Sequence, residues 1–258
     1  MPPTAEDQVR ADIVEVGRRL YARGLIAAHE GNISVRLDGA LFITPAGVCK
    51  GYLKPEDVVR TDQDGGCFDG SQRVSSEIQV HLAVYRRRPE VAAVVHAHPP
   101  TATGFAAAGL SLDQPLIAES VVTLGAVPVI PYGTPSTGQL AENVSRAICH
   151  AHGMLLANHG ALTVGETLQR AWERMETLEH LARVVLTTRL LGHVHPLREA
   201  EVARLEAMRA AVGYPPPACT ECPSRPTFTP AAEGDRLVLT RDELVRLIAE
   251  AVQRFGGA

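Results

Sequence analysis

Val91-Ala92-Ala93-Val94-Val95-His96-Ala97-His98-Pro99-Pro100 sets an uncharged, β-branched run directly before two imidazoles. Such a short apolar run, closed by two prolines, predicts a buried strand over Val91 to Val95. In extended backbone, residues i and i+2 point to the same side, so His96 and His98 converge on one point past the strand end. That convergence suits a metal. An H-x-H motif matches often by accident, but two further features support it. His159 lies in Leu155-Leu156-Ala157-Asn158-His159-Gly160, again just past an apolar run, and Val74-Ser75-Ser76-Glu77 places an acid at the opening of a helical pattern. Three histidines and one acid are the composition of a catalytic zinc site, in which three protein ligands leave a position open for substrate.

Outward from these motifs the chain alternates helices and strands. Val9, Ile13, Val16, Leu20 and Tyr21 recur at helical spacing over 5–23, with Thr4 as cap and Gly24 as stop. Gly31-Asn32 then leads into alternation at Ile33, Val35 and Leu37, and Asp38-Gly39 predicts a hairpin turn into Leu41 to Thr44. Gly31-Asn32 and Thr44 to Gly47 are small-residue turns at strand ends, where backbone N–H groups can approach an anion. Ser75 and Ser76, before the helix that Glu77 opens, form a third anion-friendly element. Pro55 to Val59 reads as a short helix or turn, and 62–70 as loop. Helices are expected over 101–108, 140–151, 167–191 and 198–212, with strands over 127–130 and 154–156; 115–123 is ambiguous. Arg86-Arg87-Arg88 reads as a solvated helix end, complementing the helix dipole.

This pattern predicts a mixed α/β domain over residues 1–213. Beyond Tyr214 the character changes, and 214–239 reads as a Pro-rich linker. Over 240–258, Leu244, Leu247, Ile248, Ala251, Val252 and Phe255 form one apolar stripe, which predicts a tethered amphipathic helix.

The chain has 258 residues and a formal net charge of -4, which excludes a broad basic face for nucleic acid. It carries no apolar run near ~20 residues and no charged-then-apolar leader, so neither a membrane span nor a secretory signal is expected, and the reading is cytoplasmic. Five cysteines, unevenly spaced, fit reduced thiols better than a disulfide framework. Cys219 and Cys222 form a C-x-x-C with no second pair nearby.

The motifs together resemble the class II aldolase/adducin family, in particular its L-fuculose-1-phosphate aldolase branch. The resemblance covers roughly residues 5–212 and rests on Gly31-Asn32-Ile33-Ser34-Val35-Arg36, Ile43-Thr44-Pro45-Ala46-Gly47, Ser75-Ser76-Glu77, His96-Ala97-His98 and Asn158-His159-Gly160 in the family's order. It implies an α/β/α sandwich around a mainly antiparallel sheet, assembled as a homotetramer with active sites at subunit interfaces. It further implies that His96, His98 and His159 hold zinc or another divalent ion, that Glu77 is the acid/base, and that Gly31, Asn32, Thr44, Gly47, Ser75 and Ser76 hold a substrate phosphate. The implied reaction is retro-aldol cleavage of a fuculose-1-phosphate-like ketose phosphate to dihydroxyacetone phosphate and a small aldehyde such as lactaldehyde. Other branches carry out decarboxylation, epimerisation or dehydration, and adducin is a non-catalytic interaction protein that lacks the metal histidines. The chain departs from the fuculose enzymes twice: Ala46 stands where they carry Thr, and Glu119 aligns with the tyrosine that serves the aldehyde oxygen as proton donor. The C-terminal helix resembles the encapsulation peptides of bacterial microcompartment cargo, which implies a shell protein as partner; docking onto its own oligomer is the alternative.

Overall fold

The computed structural model describes residues 3–67 and 73–217. Helix α1 (Ala5–Ala22) starts at Thr4, whose hydroxyl accepts from the Asp7 N–H while the Asp7 carboxylate accepts from the Thr4 N–H. Ile13, Val16 and Leu20, three and four residues apart, are its buried face. Strands β1 (Asn32–Leu37) and β2 (Ala40–Ile43) form the expected hairpin, with Leu37 opposite Ala40. Asp38 and Gly39 take φ of 46° and 78°, the left-handed pair that such a two-residue turn requires.

The short helix or turn expected from Pro55 is a 3₁₀ turn (Pro55–Asp57), and a short edge strand that was not expected, β3 (Val59–Thr61), follows it. Helix α2 (Ile78–Arg87) leads to β4 (Ala93–Ala97), so the strand starts two residues later than expected and contains His96 rather than stopping before it. Helices α3 (Pro100–Ala107) and α4 (Ala118–Thr123) follow, then β5 (Val129–Ile130), α5 (Gly138–Ala147) and β6 (Gly153–Leu156). Strand β7 (Gly160–Gly165) was not expected: all six of its residues are buried, so it carries no alternation to read. The long α6 (Leu168–Leu190) and α7 (Glu199–Met208) complete the described part. The expected helix over 240–258 and most of the linker lie outside the described residues. The linker's first residues touch the domain, since Arg170 donates to the Tyr214 hydroxyl and Pro215 O meets His152 Nε2.

The seven strands are ordered β3-β2-β1-β4-β7-β6-β5, antiparallel except for β5 against β6. Successive side chains of a strand face opposite ways, and the two faces bury separate cores. Ile33, Val35, Ala93, Val95 and Ala161 face α1, α3 and α6, with Ile13, Leu20, Phe105, Trp172, Met175 and Leu178 packed on them. Val94, Leu162 and Val164 face α2 and α5, with Val80, Val84, Leu140 and Val144. The expected α/β/α sandwich with a mainly antiparallel sheet is therefore the fold. Among the described residues no helix is long and apolar enough to cross a membrane.

Two polar groups correct the sequence reading. Arg88 is not a solvated helix end: it is 3% exposed, and its guanidinium donates to Ala151 O at 2.7 Å and to Glu90 at 2.8 Å. The carbonyls beyond α5 need a donor there, which outweighs the preference of a cation for water. Cys149 is disulfide-bonded, whereas Cys49 and Cys67 are free thiols, so the expectation of reduced cysteines fails at Cys149.

Leu178 is fully buried on α6 between the sheet and the outer helices. Leu178→Ala is expected to lower unfolding stability by about 2–5 kcal/mol, through lost transfer free energy and the cavity left behind. Urea unfolding followed by circular dichroism measures it, and a loss below ~1 kcal/mol would contradict the packing described.

Candidate metal centre

His96 lies near the end of β4 and His98 just beyond it, where the His98 N–H is held by Leu25 O at 3.0 Å. His159 sits in the tight turn between β6 and β7, preceded by Asn158 at φ 56°, a left-handed conformation that Asn tolerates. Two glycines let these segments close up. A Cβ on Gly31, itself at φ 68°, would stand 2.6 Å from His96 O, and one on Gly160 would stand 2.6 Å from Ala97 O and the His98 ring. No larger residue fits at either position without moving a histidine.

The three rings meet through their Nε2 atoms: His98 to His96 is 3.2 Å and His96 to His159 is 3.3 Å. Hydrogen bonding settles what those atoms present. His96 Nδ1 donates to Ala161 O at 2.9 Å, and His98 Nδ1 faces Glu30 Oε2 at 3.4 Å. With the protons on Nδ1, both Nε2 atoms carry lone pairs aimed at one another. Four-coordinate metal–imidazole bonds of ~2.0–2.1 Å set nitrogens roughly 3.3 Å apart, so the spacing fits a bound divalent ion. Burial supports the same state. It pushes the pKa of His98 and of His159 down to about 4, further lowered by the charge of His96, so both imidazoles are neutral at pH 7. For His96 burial also acts downward, but the Glu77 carboxylate and the Ala161 carbonyl outweigh it and raise the pKa above its ordinary value.

Glu77 stands at the N-terminal end of α2, 8% exposed. Its Oε2 is 3.3 Å from His96 Nε2 and accepts from Asn32 Nδ2 at 2.9 Å; its Oε1 is 3.4 Å from His159 Nε2. Burial acts to raise its pKa, but His96, His159 and Asn32 together hold the carboxyl well below the usual range. An ionised carboxylate therefore lies against the imidazole cluster.

The three anion-friendly elements adjoin. The Thr44 hydroxyl accepts from the Ile33 N–H at 3.2 Å, tying the second turn to the first. Pro45 pairs with Val74, bringing that turn beside Ser75 and Ser76. Gly47 has φ 71°, Ser75 is buried with its hydroxyl toward the Glu77 N–H, and Ser76 is exposed. Asn32 is turned inward: its amide serves Glu77 on one side and His81 on the other. Glu119 is exposed in the first turn of α4, and among the described residues no hydrogen bond or ion pair links it to the histidines.

Sequence reasoning missed two neighbours. Lys50, 3% exposed, donates to His29 O at 2.6 Å and lies within electrostatic reach of Glu77, while burial pushes its pKa down to about 8. Glu30 orients His98, a role its place beside Gly31 could have suggested.

Residues 11–186 match the Class II Aldolase and Adducin N-terminal domain. The chain belongs to this family. A 3-oxo-tetronate 4-phosphate decarboxylase of Pectobacterium atrosepticum is 34% identical over 187 residues, 70% of this chain and 85% of that protein. A 5-deoxy-D-ribulose 1-phosphate aldolase of Bacillus thuringiensis serovar kurstaki is 34% identical over 199 residues, 76% and 92% of the two chains. Among solved structures, L-fuculose-1-phosphate aldolase of Thermus thermophilus matches with a TM-score of 0.66 and 37% identity over 74% of this chain and 99% of that one. The chain is thus a member of an enzyme family of divalent-metal-dependent lyases, in its fuculose-phosphate aldolase-like branch.

An imidazole ligates only when neutral, so protons compete with the ion. As pH falls, His96 takes up a proton first, because its pKa is raised, and His98 and His159 follow near pH 4. Divalent-ion affinity is expected to fall about tenfold per pH unit below the His96 titration and more steeply below pH 4. Chelator competition across this range measures the slope; a flat profile between pH ~5 and ~7 would exclude His96 as a ligand.

Proposed function

We propose that this protein is a metal-dependent lyase that decarboxylates a phosphorylated 3-oxo acid, 3-oxo-tetronate 4-phosphate, to dihydroxyacetone phosphate and carbon dioxide. Decarboxylation breaks the bond between the carboxylate carbon and C2, and the electron pair passes into an enediolate across C2 and C3. A divalent ion, which we take to be zinc, held by His96, His98 and His159, supplies Lewis-acid stabilisation of that charge. The turns at Gly31-Asn32 and Thr44 to Gly47, with Ser75 and Ser76, bind the phosphate through backbone N–H and hydroxyl groups, so binding energy distant from the reacting bond positions it. Carbon dioxide leaves uncharged, and C2 then needs one proton. Glu77, against the histidines and anchored through one oxygen by Asn32, takes a proton from solvent and passes it to C2.

The observation that carries decarboxylation over aldol cleavage is Glu119. Aldol cleavage must also move the proton of the hydroxyl that becomes the aldehyde, the task of the family's tyrosine. At that position this chain has a carboxyl in place of the phenol, and among the described residues no hydrogen bond or ion pair links it to the cluster. Loss of carbon dioxide needs no such group. Aldol cleavage of a ketose 1-phosphate is the second reading, favoured by the similarity to two sugar-phosphate aldolases, and it uses the same enediolate and the same phosphate cradle.

The metal-loaded protein is expected to release dihydroxyacetone phosphate and carbon dioxide from 3-oxo-tetronate 4-phosphate. Its kcat/KM there should exceed that for aldehyde release from 5-deoxyribulose 1-phosphate or fuculose 1-phosphate by at least ~100-fold. The reverse ranking would establish the aldolase reading. Glu77→Gln should keep the metal yet slow deuterium exchange into dihydroxyacetone phosphate by at least ~100-fold. Glu119→Gln should leave decarboxylation within about threefold.

Two features of assembly belong to this reading. The family resemblance implies active sites at subunit interfaces, and on that ground we assign a homotetramer. The apolar stripe of 240–258 needs a surface to bury itself on, since an isolated helix this short is marginal in water. That surface is either the oligomer itself or a microcompartment shell protein, the latter fitting the aldolase reading because a shell would retain a volatile aldehyde. A fluorescent reporter fused to residues 232–258 should form shell-dependent puncta in the second case. Diffuse fluorescence with intact shells, and loss of the tetramer on truncation at Tyr214, would establish the first.

A further inference from the structure

We propose that His81 is a positioning residue for Glu77, acting through the Asn32 amide to anchor one carboxylate oxygen and leave the other to carry the proton. The inference rests on the reading of Glu77 as the acid/base. Its basis is a juxtaposition of two stripes. Along α2 and the residue that precedes it, Glu77, His81 and Tyr85 recur every four residues and share one side of the helix. Along β1, Asn32 and Ser34 share one face of the sheet, the face toward α2. The stripes interlock: Tyr85 hydroxyl to Ser34 Oγ at 2.7 Å, Ser34 Oγ to His81 Nδ1 at 2.6 Å, His81 Nε2 to Asn32 Oδ1 at 2.5 Å, and Asn32 Nδ2 to Glu77 Oε2 at 2.9 Å. All five residues are buried, Ser34 and His81 completely.

The direction of every hydrogen bond follows from one end. A carboxylate only accepts, so the amide nitrogen of Asn32 faces Glu77 and its oxygen faces His81. That oxygen needs a donor, which places the imidazole proton on Nε2 and leaves a lone pair on Nδ1. The Ser34 hydroxyl donates to this lone pair and accepts in turn from the Tyr85 hydroxyl. Each proton in the line points toward Glu77, and reversing any member would break two bonds. Burial, with His96 nearby, pushes the His81 pKa down to about 3, so the line is neutral and offers Glu77 no group to receive its proton. The result is an asymmetric carboxylate. Oε2 is held, while Oε1 is buried without a hydrogen-bond partner and faces His159.

Mutual satisfaction of buried polar groups is not by itself a reason for the line to exist. Apolar groups of similar shape at 34, 81 and 85 would fill the same interface and leave only the Asn32 Oδ1 without a partner. What they would not do is fix the Asn32 amide, whose flip would turn a carbonyl oxygen on the carboxylate.

The test is deuterium exchange into dihydroxyacetone phosphate in D₂O, catalysed by metal-loaded full-length protein, a step common to decarboxylation and aldol cleavage. His81→Phe is expected to retain stoichiometric metal and half-saturation within about twofold, and to lower the maximal exchange rate about 10–100-fold, the usual effect of losing a partner behind a metal site. His81→Gln and His81→Asn then separate positioning from packing. The Gln amide reaches the place of Nε2 and should restore exchange to within about threefold of wild type; the Asn amide reaches only the place of Nδ1 and should not. This pair decides the matter alone if His81→Phe does not fold. Wild-type exchange in His81→Asn, or equal loss in the Gln and Asn variants, would overturn the inference. Glu77→Gln run beside them separates the two levels: wild-type exchange in that variant would remove the reading of Glu77 itself, whereas its loss together with normal exchange in His81→Asn would remove only the role of His81.

Discussion

His96 Nε2 lies 3.2 Å from that of His98 and 3.3 Å from that of His159, and such nitrogens, two of them fixed as lone pairs, repel one another unless a cation lies among them. The rest of the site is arranged to hold them there. The Ala161 carbonyl fixes one ring, Glu30 faces a second, and the tight turn between β6 and β7 presents the third. The start of α3, which must follow His98 immediately, is held by the long helix packed in the same layer. Glu179 on α6, 3% exposed, accepts from the Ala102 N–H at 2.9 Å and the Thr101 N–H at 3.3 Å. A carboxylate there satisfies helix N–H groups that Pro99 and Pro100 cannot serve by side-chain capping.

The register of β1 against β4 decides which groups join this cluster. Asn32 lies opposite His96, and Ser34 opposite Val94. Because side chains alternate along a strand, that register puts Asn32, Ser34 and His96 on the α2 face and Ile33 and Val35 in the opposite core. A slip of one residue would drive Asn32 and Ser34 into apolar packing and break the line to Glu77. The hydrophobic pattern of β1 therefore specifies the geometry of the candidate site as firmly as it specifies the sheet.

What was legible in the sequence was whatever has a short period or a local chemical signature. His96, His98, His159 and Glu77 were visible because each stands at the end of an apolar run or at a helix start. The Asp38-Gly39 hairpin and the Thr4 cap were visible because their chemistry is local. β7 was not, because a strand buried on both faces carries no alternation. Arg88 was misread because its acceptors lie near Ala151, far along the chain. His81 and Tyr85 fitted the buried stripe of α2 by spacing, and their polar partners on β1 emerge only when the strand is laid beside the helix. Long-range polar pairing is the class of interaction that periodicity does not carry.

The same division explains how one scaffold accommodates more than one bond cleavage. The groups that would bear on an enediolate in the proposed reaction, namely the histidines, Glu77, Asn32 and the line behind them, are mostly buried in interlocked polar contacts, where loss of one partner leaves another unsatisfied at a cost of about 1–3 kcal/mol. Position 119 is different. It lies exposed on the short helix α4, where substitution ordinarily changes stability by less than about 0.5 kcal/mol. On the proposed reading, a change there would add or remove a proton-transfer group for the departing fragment without disturbing the centre that stabilises the remaining charge. Decarboxylation and aldol cleavage differ only in that departing fragment. On that reading the core sets which carbanion is tolerated, and the exposed rim sets which bond is given up to form it.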